Sequence, residues 1–520
     1  MNENSYNVRS SQFAVAFSVL YVVLPIIIFS FGWLKIYFAV PASLILLYFA
    51  YSLYNEISSV EVNITNSGTK KFWLLTLLCL LVWVFFSGIG RFSYQNWDHF
   101  ARNVFYRDLC NYEWPVIYDF APQSKLVRSI LGDGTAALSY YFAWWLPPAF
   151  VSKIFSLGQA GQDICIYLWA VLGVFLVVYN LCRYFRKTSY TVVLIFIFFS
   201  GIDVIGAVIS GRYSVPTPSS RYGNVSGIIQ VLVLHIEWLY GFQYSANTTQ
   251  LYWVFNQSIP VWLITCMLLQ LRTNKNNMAL SSLTFAFSSW AAIGIIPLAL
   301  AHSMQDGRKF RKAFTLQNIA VPLFMMIAFG MLYLGTNNAM KISLFINSAE
   351  KFAKYLLFIF IEIGVYLLIM WRTPCKYNFF YVVVAELLLI PFVQVTTGDF
   401  LMRASIPALF IFMVFVIKFL VEEDDNTLRL RKIILACALV VGAFTPFTEI
   451  NRSIAGTGRY IAEKYILHKP MNDIHNPLRE EIYSIGAITE EATASQMELV
   501  KNQYLIFDYK HSAFFKYLAR

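Results

Sequence analysis

Tyr140-Tyr141-Phe142-Ala143-Trp144-Trp145-Leu146-Pro147-Pro148, the centre of an apolar stretch from Ala136 to Phe155, decides how this chain is laid out. If the stretch crossed a bilayer, the next apolar run would end outside, carrying Arg183, Arg186 and Lys187 with it. That violates the tendency of basic residues to stay on the cytoplasmic side. Two consecutive prolines and a high aromatic density suit an interfacial or re-entrant helix instead. The stretch is therefore expected to lie on the outer surface without crossing.

The same charge argument extends to the rest of the chain. Of 520 residues, 58% are hydrophobic and 13% charged, where a soluble domain carries about 25% charged residues. This is the composition of an integral membrane protein. Runs long enough to span, at about 20 residues per crossing, lie near 13–31, 36–54, 72–89, 164–182, 191–210, 251–271, 319–336, 355–371, 378–395, 405–421 and 432–449. A further stretch, Met278 to Met304, has Arg272 and Lys275 before it and Arg308, Lys309, Arg311 and Lys312 after it. Both flanks belong inside, so a hairpin of two short helices bent near Ser288-Ser289-Trp290 is expected. Lys70-Lys71, Arg372 with Lys376, and Arg429 with Arg431 and Lys432 then also fall inside.

The net charge of +11 is carried by these short clusters beside apolar runs rather than along one face. It reads as topological anchoring, with no nucleic-acid partner. There is no CxxC pair, and Cys79, Cys182, Cys266 and Cys437 lie in or beside apolar runs, so neither a disulfide framework nor a zinc site is implied. The run from near Phe13 is followed at once by a second, with no small-residue cleavage pattern, and reads as a retained helix.

The expected fold is all-α and polytopic, with about 11 spanning helices plus the short hairpin, juxtamembrane helices on the outer face and a small tail. Residues 1–449 form the transmembrane domain, with outer loops at 90–162, 211–250 and 337–354, and residues 450–520 form an extracytoplasmic, helical tail.

Chemistry is expected where a charge stands at the outer mouth of a helix, because such a charge is costly unless a function requires it. Asn96-Trp97-Asp98-His99 is such a place. The following Phe100 to Leu109 carries apolar residues at helical spacing, so an amphipathic surface helix should hold Asp98 at its positive end, poised to take a proton from an acceptor hydroxyl. The structural alternative is a helix N-cap. Asp203, within an apolar run, must face protein or water. Arg403, beside Asp399 in Gly398-Asp399-Phe400-Leu401-Met402-Arg403, can grip a phosphate through charge-assisted bonds, or pair with Asp399 and snorkel. Arg212, Arg221, His235, Glu237 and Trp238 in the second outer loop suit a sugar. His235 and Glu237 are two residues apart and point away from each other if that segment is helical, which argues against a metal pair. The sequence has no strand-flanked phosphate loop, HExxH or nucleophile elbow.

This order of features resembles the C-fold membrane glycosyltransferases, in particular the branch of the protein mannosyltransferases and lipid A aminoarabinose transferases. There a catalytic Asp opens the first large outer loop, followed by a juxtamembrane helix, a Trp-containing turn, a second aromatic helix and a helix descending to a basic cytoplasmic end. The corresponding run here is Asp98, Arg107-Asp108-Leu109, Glu113-Trp114-Pro115, Tyr140 to Phe155, and Cys165 to Cys182 ending in Arg183-Tyr184-Phe185-Arg186-Lys187. The hairpin from Met278, with Arg308-Lys309-Phe310-Arg311-Lys312 behind it, is also similar to that family's short helix pair. The resemblance covers roughly residues 72–420 and is one of pattern and order.

It implies a glycosyltransferase of a bacterial cytoplasmic membrane that moves a sugar from a polyprenyl-phosphate carrier to a cell-envelope acceptor. Asp98 would be the catalytic base, and His99, Arg107, Asp203, Asp399 and Arg403 would contact substrate. Two extra helices precede the loop, and His99 replaces the family's acidic neighbour of the catalytic Asp, so no metal ligand set is assigned and no divalent metal is required. The rival readings are a polysaccharide polymerase or ligase using a lipid pyrophosphate donor, and a transporter or flippase, although no internal repeat of the transporter kind is visible.

Overall fold

The computed structural model describes residues 3–60, 69–132, 134–211, 232, 235–305, 310–336, 341–371, 378–395, 400–421, 426–469, 484–487 and 494–520. Within them the protein is mostly helical, and eight helices are long and apolar enough to cross a membrane. Three shorter apolar helices, Ser289–Ser303, Phe379–Phe392 and Ile406–Val421, accompany them.

The bundle is built around one helix. Asn247–Leu268 is 94% buried along its apolar window, where Ile36–Ser58, Leu316–Tyr333 and Ala349–Ile369 are buried over 33–39% of theirs. So central a helix can carry polar side chains only if each finds a partner, because an unpaired polar group in an apolar interior costs several kcal/mol. Thr248 Oγ1 accordingly donates to the Ile197 carbonyl at 2.7 Å and accepts from Trp83 Nε1 at 3.1 Å. Gln250 likewise donates to the Ser245 carbonyl at 2.8 Å and accepts from Trp262 Nε1 at 3.1 Å.

The two ambiguous stretches resolve differently. Met278 to Met304 forms Asn277–Ser282, Thr284–Phe287 and Ser289–Ser303, broken at Ser288, whose backbone is extended (φ −166°, ψ 114°) and whose hydroxyl caps Ala291. Ala136 to Phe155 is not one helix. It divides into strand β2 (Thr135–Leu138), the turn Ala143–Trp145 and the nine-residue helix Leu146–Ile154, about 14 Å long and too short for a core of about 30 Å. Strand β2 lies between β1 (Ile117–Asp119) and the strand Leu505–Phe507, antiparallel to both, with Ala137 opposite Ile117 and Ile506.

That pairing changes the picture of the tail. The boundary after Glu449 falls inside the Phe444–Ile461 helix, and the segment beyond returns across the end of the bundle that holds the His99–Asn111 helix. The Arg520 and Lys35 backbone N–H groups bond the carbonyls of Trp33 and Leu518, and Arg520 Nε donates to the Trp114 carbonyl at 3.1 Å. Asp108 accepts from the Ile485 backbone N–H at 3.0 Å and from Tyr118 at 2.8 Å. The His99–Asn111 helix beneath is therefore a buried strut, with ten of its 13 residues inside, rather than a helix resting on lipid.

The opposite end is basic. Arg183 donates to the Ile57 and Val60 carbonyls at the end of Ile36–Ser58. Glu56 accepts from the Thr273 backbone and hydroxyl and from Asn276, each at 2.7 Å. The helix ends near 58, 184, 273, 303 and 315 thus share one face with Arg183, Arg272 and Lys275.

Gly294 sits where Ser289–Ser303 touches Phe400–Ala404, and a Cβ there would lie 2.0 Å from the Ala404 carbonyl oxygen. Gly294→Ala is expected to destabilise by about 1–3 kcal/mol, as overpacked sites do. Gly158→Ala, with nothing within 4 Å, should leave the melting temperature in detergent unchanged. Equal melting of the two variants would show that this contact is slack.

Candidate functional site

The setting of Asp98 begins in the turn before it. Gly88 adopts φ 86°, and a Cβ there would lie 2.7 Å from the Tyr94 carbonyl oxygen and 3.3 Å from the His99 ring. Only glycine takes both the conformation and the approach at no cost. The chain is then held by one acceptor, the Tyr252 carbonyl. Asn96 Nδ2 donates to it at 2.6 Å and His99 Nε2 lies 3.0 Å away. This oxygen can receive both because the Asn247–Leu268 helix kinks at Val254 (φ −136°, ψ 37°), which interrupts the helical ladder and releases carbonyls from it.

His99 is fully buried. Burial, and then the Arg102 charge, bring its pKa down to about 3. The ring is thus neutral, donating through Nε2 and accepting at Nδ1 from Gln95 Nε2 at 3.3 Å. It is a structural peg and does not line the large cavity described below.

Asp98 occupies the N-cap position of His99–Asn111 but makes no capping bond. The Asn96 side chain receives its backbone N–H at 3.1 Å. Its carboxylate accepts from Arg102 at 2.9 Å, and the Asp98 side chain is 37% exposed where that of Arg102 is 4% exposed. Arg102 lies over the Phe255 ring at 5.6 Å. The carboxylate is therefore gripped from the protein side and open on the other.

A cavity of about 650 Å³ lies between the hairpin and the Leu316–Tyr333 helix; Arg403 is in its lining and Asp98 is not. Its walls are Met278, Phe285, Trp290, Met325 and other apolar side chains, while Tyr140, Gln503, Tyr504 and Arg403 supply the polar groups. Ile293, Ile296 and Met326 belong to the lining and are also 49%, 50% and 68% exposed, so the cavity continues onto the outer surface of the helices. Tyr504 packs edge-on against Phe105 and Tyr140, with centroids 4.6 and 5.0 Å away. Burial holds its phenol well above the ordinary range, and the charges of Asp98, Arg403 and Arg102 all act on it. Tyr504 is thus a residue of the cavity wall that feels the fields of Asp98, Arg403 and Arg102.

The other sequence candidates separate from this group. Arg107 bonds Asp163 at 2.7 Å and Gln162 at 2.5 Å, bracing its helix against Gln159–Tyr184. Asp203 lines a different cavity, with Glu362 and Thr445. Asp399, Arg212 and Arg221 lie outside the described residues.

His235 and Glu237, expected to diverge, meet at 2.9 Å because their segment is not helical. The other His235 nitrogen bonds Glu449, which also accepts from Arg452 at 2.7 Å. Glu449 and Arg452 went unnoticed in the sequence although acid and base three residues apart at the end of an apolar run are a readable pair. Tyr504 had no local signal at all. Among the described residues no cluster of three or more His, Cys, Asp or Glu is arranged to hold a metal ion. No family model, curated protein or solved structure matches this chain.

Burial opposes charge on His235, but the Glu449 and Glu237 carboxylates prevail and raise its pKa to about 9 from 6.5. A raised folded value means that the stabilisation is complete below about 6.5 and is lost as pH rises through about 9. The melting temperature is expected to fall more steeply between pH 7 and 10 in the parent than in His235→Gln. Parallel slopes would remove the ion pair from the pH dependence.

Proposed function

We propose that this protein is a membrane glycosyltransferase that moves a sugar from a polyprenyl-phosphate carrier to a hydroxyl of a cell-envelope acceptor. Supporting this most directly is the large apolar cavity open along its side, with Arg403 and Tyr504 among its polar groups and an accessible carboxylate, Asp98, acting on the same phenol. A polyprenyl chain matches an apolar cavity that runs out to a lipid-facing surface, and a guanidinium matches the carrier phosphate.

In the reaction, the acceptor oxygen attacks the anomeric carbon, the bond from that carbon to the carrier phosphate breaks, and Asp98 takes the hydroxyl proton. The departing phosphate keeps the electron pair, and Arg403 stabilises the charge. Arg102 holds the carboxylate in place, which is what near-attack geometry requires. No metal enters these steps.

The accompanying topology has eleven crossings in a bacterial cytoplasmic membrane, with the amino terminus inside and the Asp98 end outside. The basic end formed by the helix ends near 58, 184, 273, 303 and 315 supports it. Cysteines introduced at Gly134 and Gly158 should both react with an impermeant reagent from the outer side. Reaction at only one of them would reverse every later helix.

Two substitutions test the chemistry. Asp98→Asn keeps the shape and loses the base, so transfer from a polyprenyl-phosphate sugar should drop about 100- to 10,000-fold while carrier binding persists. Arg403→Ala should weaken carrier binding by about 1.5–3 kcal/mol, the worth of a charged hydrogen bond, and Arg403→Lys by less. Transfer at the parent rate in Asp98→Asn would refute the assignment, and movement of lipid or solute without transfer would favour a transporter.

A further inference from the structure

At the basic end of the bundle, three arginines from two chain segments line one cavity of about 240 Å³. That is several times the roughly 30 Å³ that a water occupies in the liquid. Arg183 lies in the last turn of the Gln159–Tyr184 helix, Arg186 stands just beyond its end, and Arg272 follows the Asn247–Leu268 helix. Gln270, Gln305 and His302 add polar walls, and among the described residues no carboxylate belongs to the lining. Glu56, the acid bonded next to Arg272, is taken up by Thr273 and Asn276. The Arg272 charge acts on the buried Arg183 guanidinium, so like charges stand close enough here to repel.

Basic side chains near helix ends ordinarily bond the last carbonyls of those helices. Arg183 does so, donating to the Ile57 and Val60 carbonyls. Gln270 accepts from its Nε at 3.0 Å and itself donates to Asn180 at 2.9 Å, so this guanidinium is fixed. Arg186 and Arg272 behave differently. Both are exposed, and neither guanidinium has a hydrogen-bond or ion-pair partner among the described residues. Arg186 also has a left-handed backbone, with φ 53°. Its N–H bonds the Arg183 carbonyl at 3.1 Å while the Lys187 N–H bonds that of Cys182 at 3.0 Å, a helix ending whose left-handed position is usually glycine. Glycine would make this turn without strain, whereas arginine accepts the strain and places a guanidinium in the cavity wall.

We propose that this cavity binds a phosphate group, with Arg186 and Arg272 as its direct partners and Arg183 as a fixed positive charge behind them. A guanidinium presents paired donors that match two phosphate oxygens, and two of them from separate segments can hold one phosphate from two sides. Basic pockets between helix ends take the head groups of anionic lipids, and a soluble phosphate ester offers the same oxygens. The ligand would remove the repulsion among the three arginines, which no protein carboxylate in the lining does. The site is independent of the transfer reaction and stands whether or not Asp98 is a base.

The test uses the full chain in detergent micelles with phosphatidylcholine, given either phosphatidylglycerol or radiolabelled inorganic phosphate. Bound lipid is counted by native mass spectrometry and bound phosphate by equilibrium dialysis. One saturable equivalent per chain is expected for at least one probe, the lipid marking a head-group site and inorganic phosphate a site for a soluble ligand. Arg186→Gln and Arg272→Gln should each weaken binding about 10- to 100-fold, as loss of a charged hydrogen bond does. Lys312→Gln removes the same charge from an exposed residue outside the cavity and should change affinity by about threefold or less. Arg186→Gly relieves the left-handed strain and should lose affinity as Arg186→Gln does, so it decides the matter if Arg272→Gln does not fold. Absence of saturable binding of both probes to the parent overturns the proposal. So does unchanged affinity in the arginine variants, or an equal loss in Lys312→Gln, which would trace binding to the overall charge of this end.

Discussion

The Asp98 end of this protein depends on a single carbonyl oxygen, that of Tyr252, released by the kink at Val254 and shared by Asn96 and His99. Asn96 passes the constraint on by accepting the Asp98 backbone N–H, and His99 starts the buried strut that carries Arg102. A regular helix would use that oxygen itself, and the loop would lose its anchor. The kink is thus a local defect in secondary structure that becomes the reference point for a tertiary site, as breaks in membrane helices often do when their freed groups face protein. Burial and the Arg102 charge keep the His99 ring neutral, which leaves Nδ1 able to accept from Gln95 while Nε2 donates to the Tyr252 carbonyl.

A division of labour follows between the two ends of the bundle. At the basic end, side chains such as Arg183, Glu56 and Asn318 satisfy backbone groups at helix termini, which fixes helix positions. At the Asp98 end, polar groups are held but not exhausted. Asp98 is paired with Arg102 and still more than a third exposed. Rigid support under an incompletely satisfied charge is the condition for chemistry at a membrane surface.

Much of the fold was legible in the sequence because apolar length and basic flanks are strong, local signals. The break at Ser288 was readable from a stretch too long for one helix, and Pro147-Pro148 correctly spoke against a continuous crossing segment. Other features were not legible for physical reasons. Strands of three or four residues, such as Thr135–Leu138, carry too little pattern to be told from an apolar helix. The surface-helix reading of Phe100 to Leu109 failed because protein takes up the polar side chains as well, Arg107 by Gln162 and Asp163 and Asp108 by Tyr118 and the Ile485 N–H. His235 and Glu237 were judged by helical geometry in a segment that is not helical. Asp98 and Arg403 were recognisable as charges at helix mouths, but Tyr504, which lines the cavity with Arg403, is separated from Asp98 by some four hundred positions and carries no mark of its own.

That separation bears on how the molecule is made. The strand Leu505–Phe507 completes the three-stranded sheet by pairing with Thr135–Leu138, and the residue before it, Tyr504, becomes part of the cavity wall. During synthesis the helices emerge one after another, yet the middle strand waits for its second neighbour until the chain has reached Leu505. Until then the cavity lacks Gln503 and Tyr504 and stands open to lipid and water. Closure of this wall consequently comes after the helices of the bundle have been made, and a ribosome that stalls before Leu505 leaves a bundle without that roof.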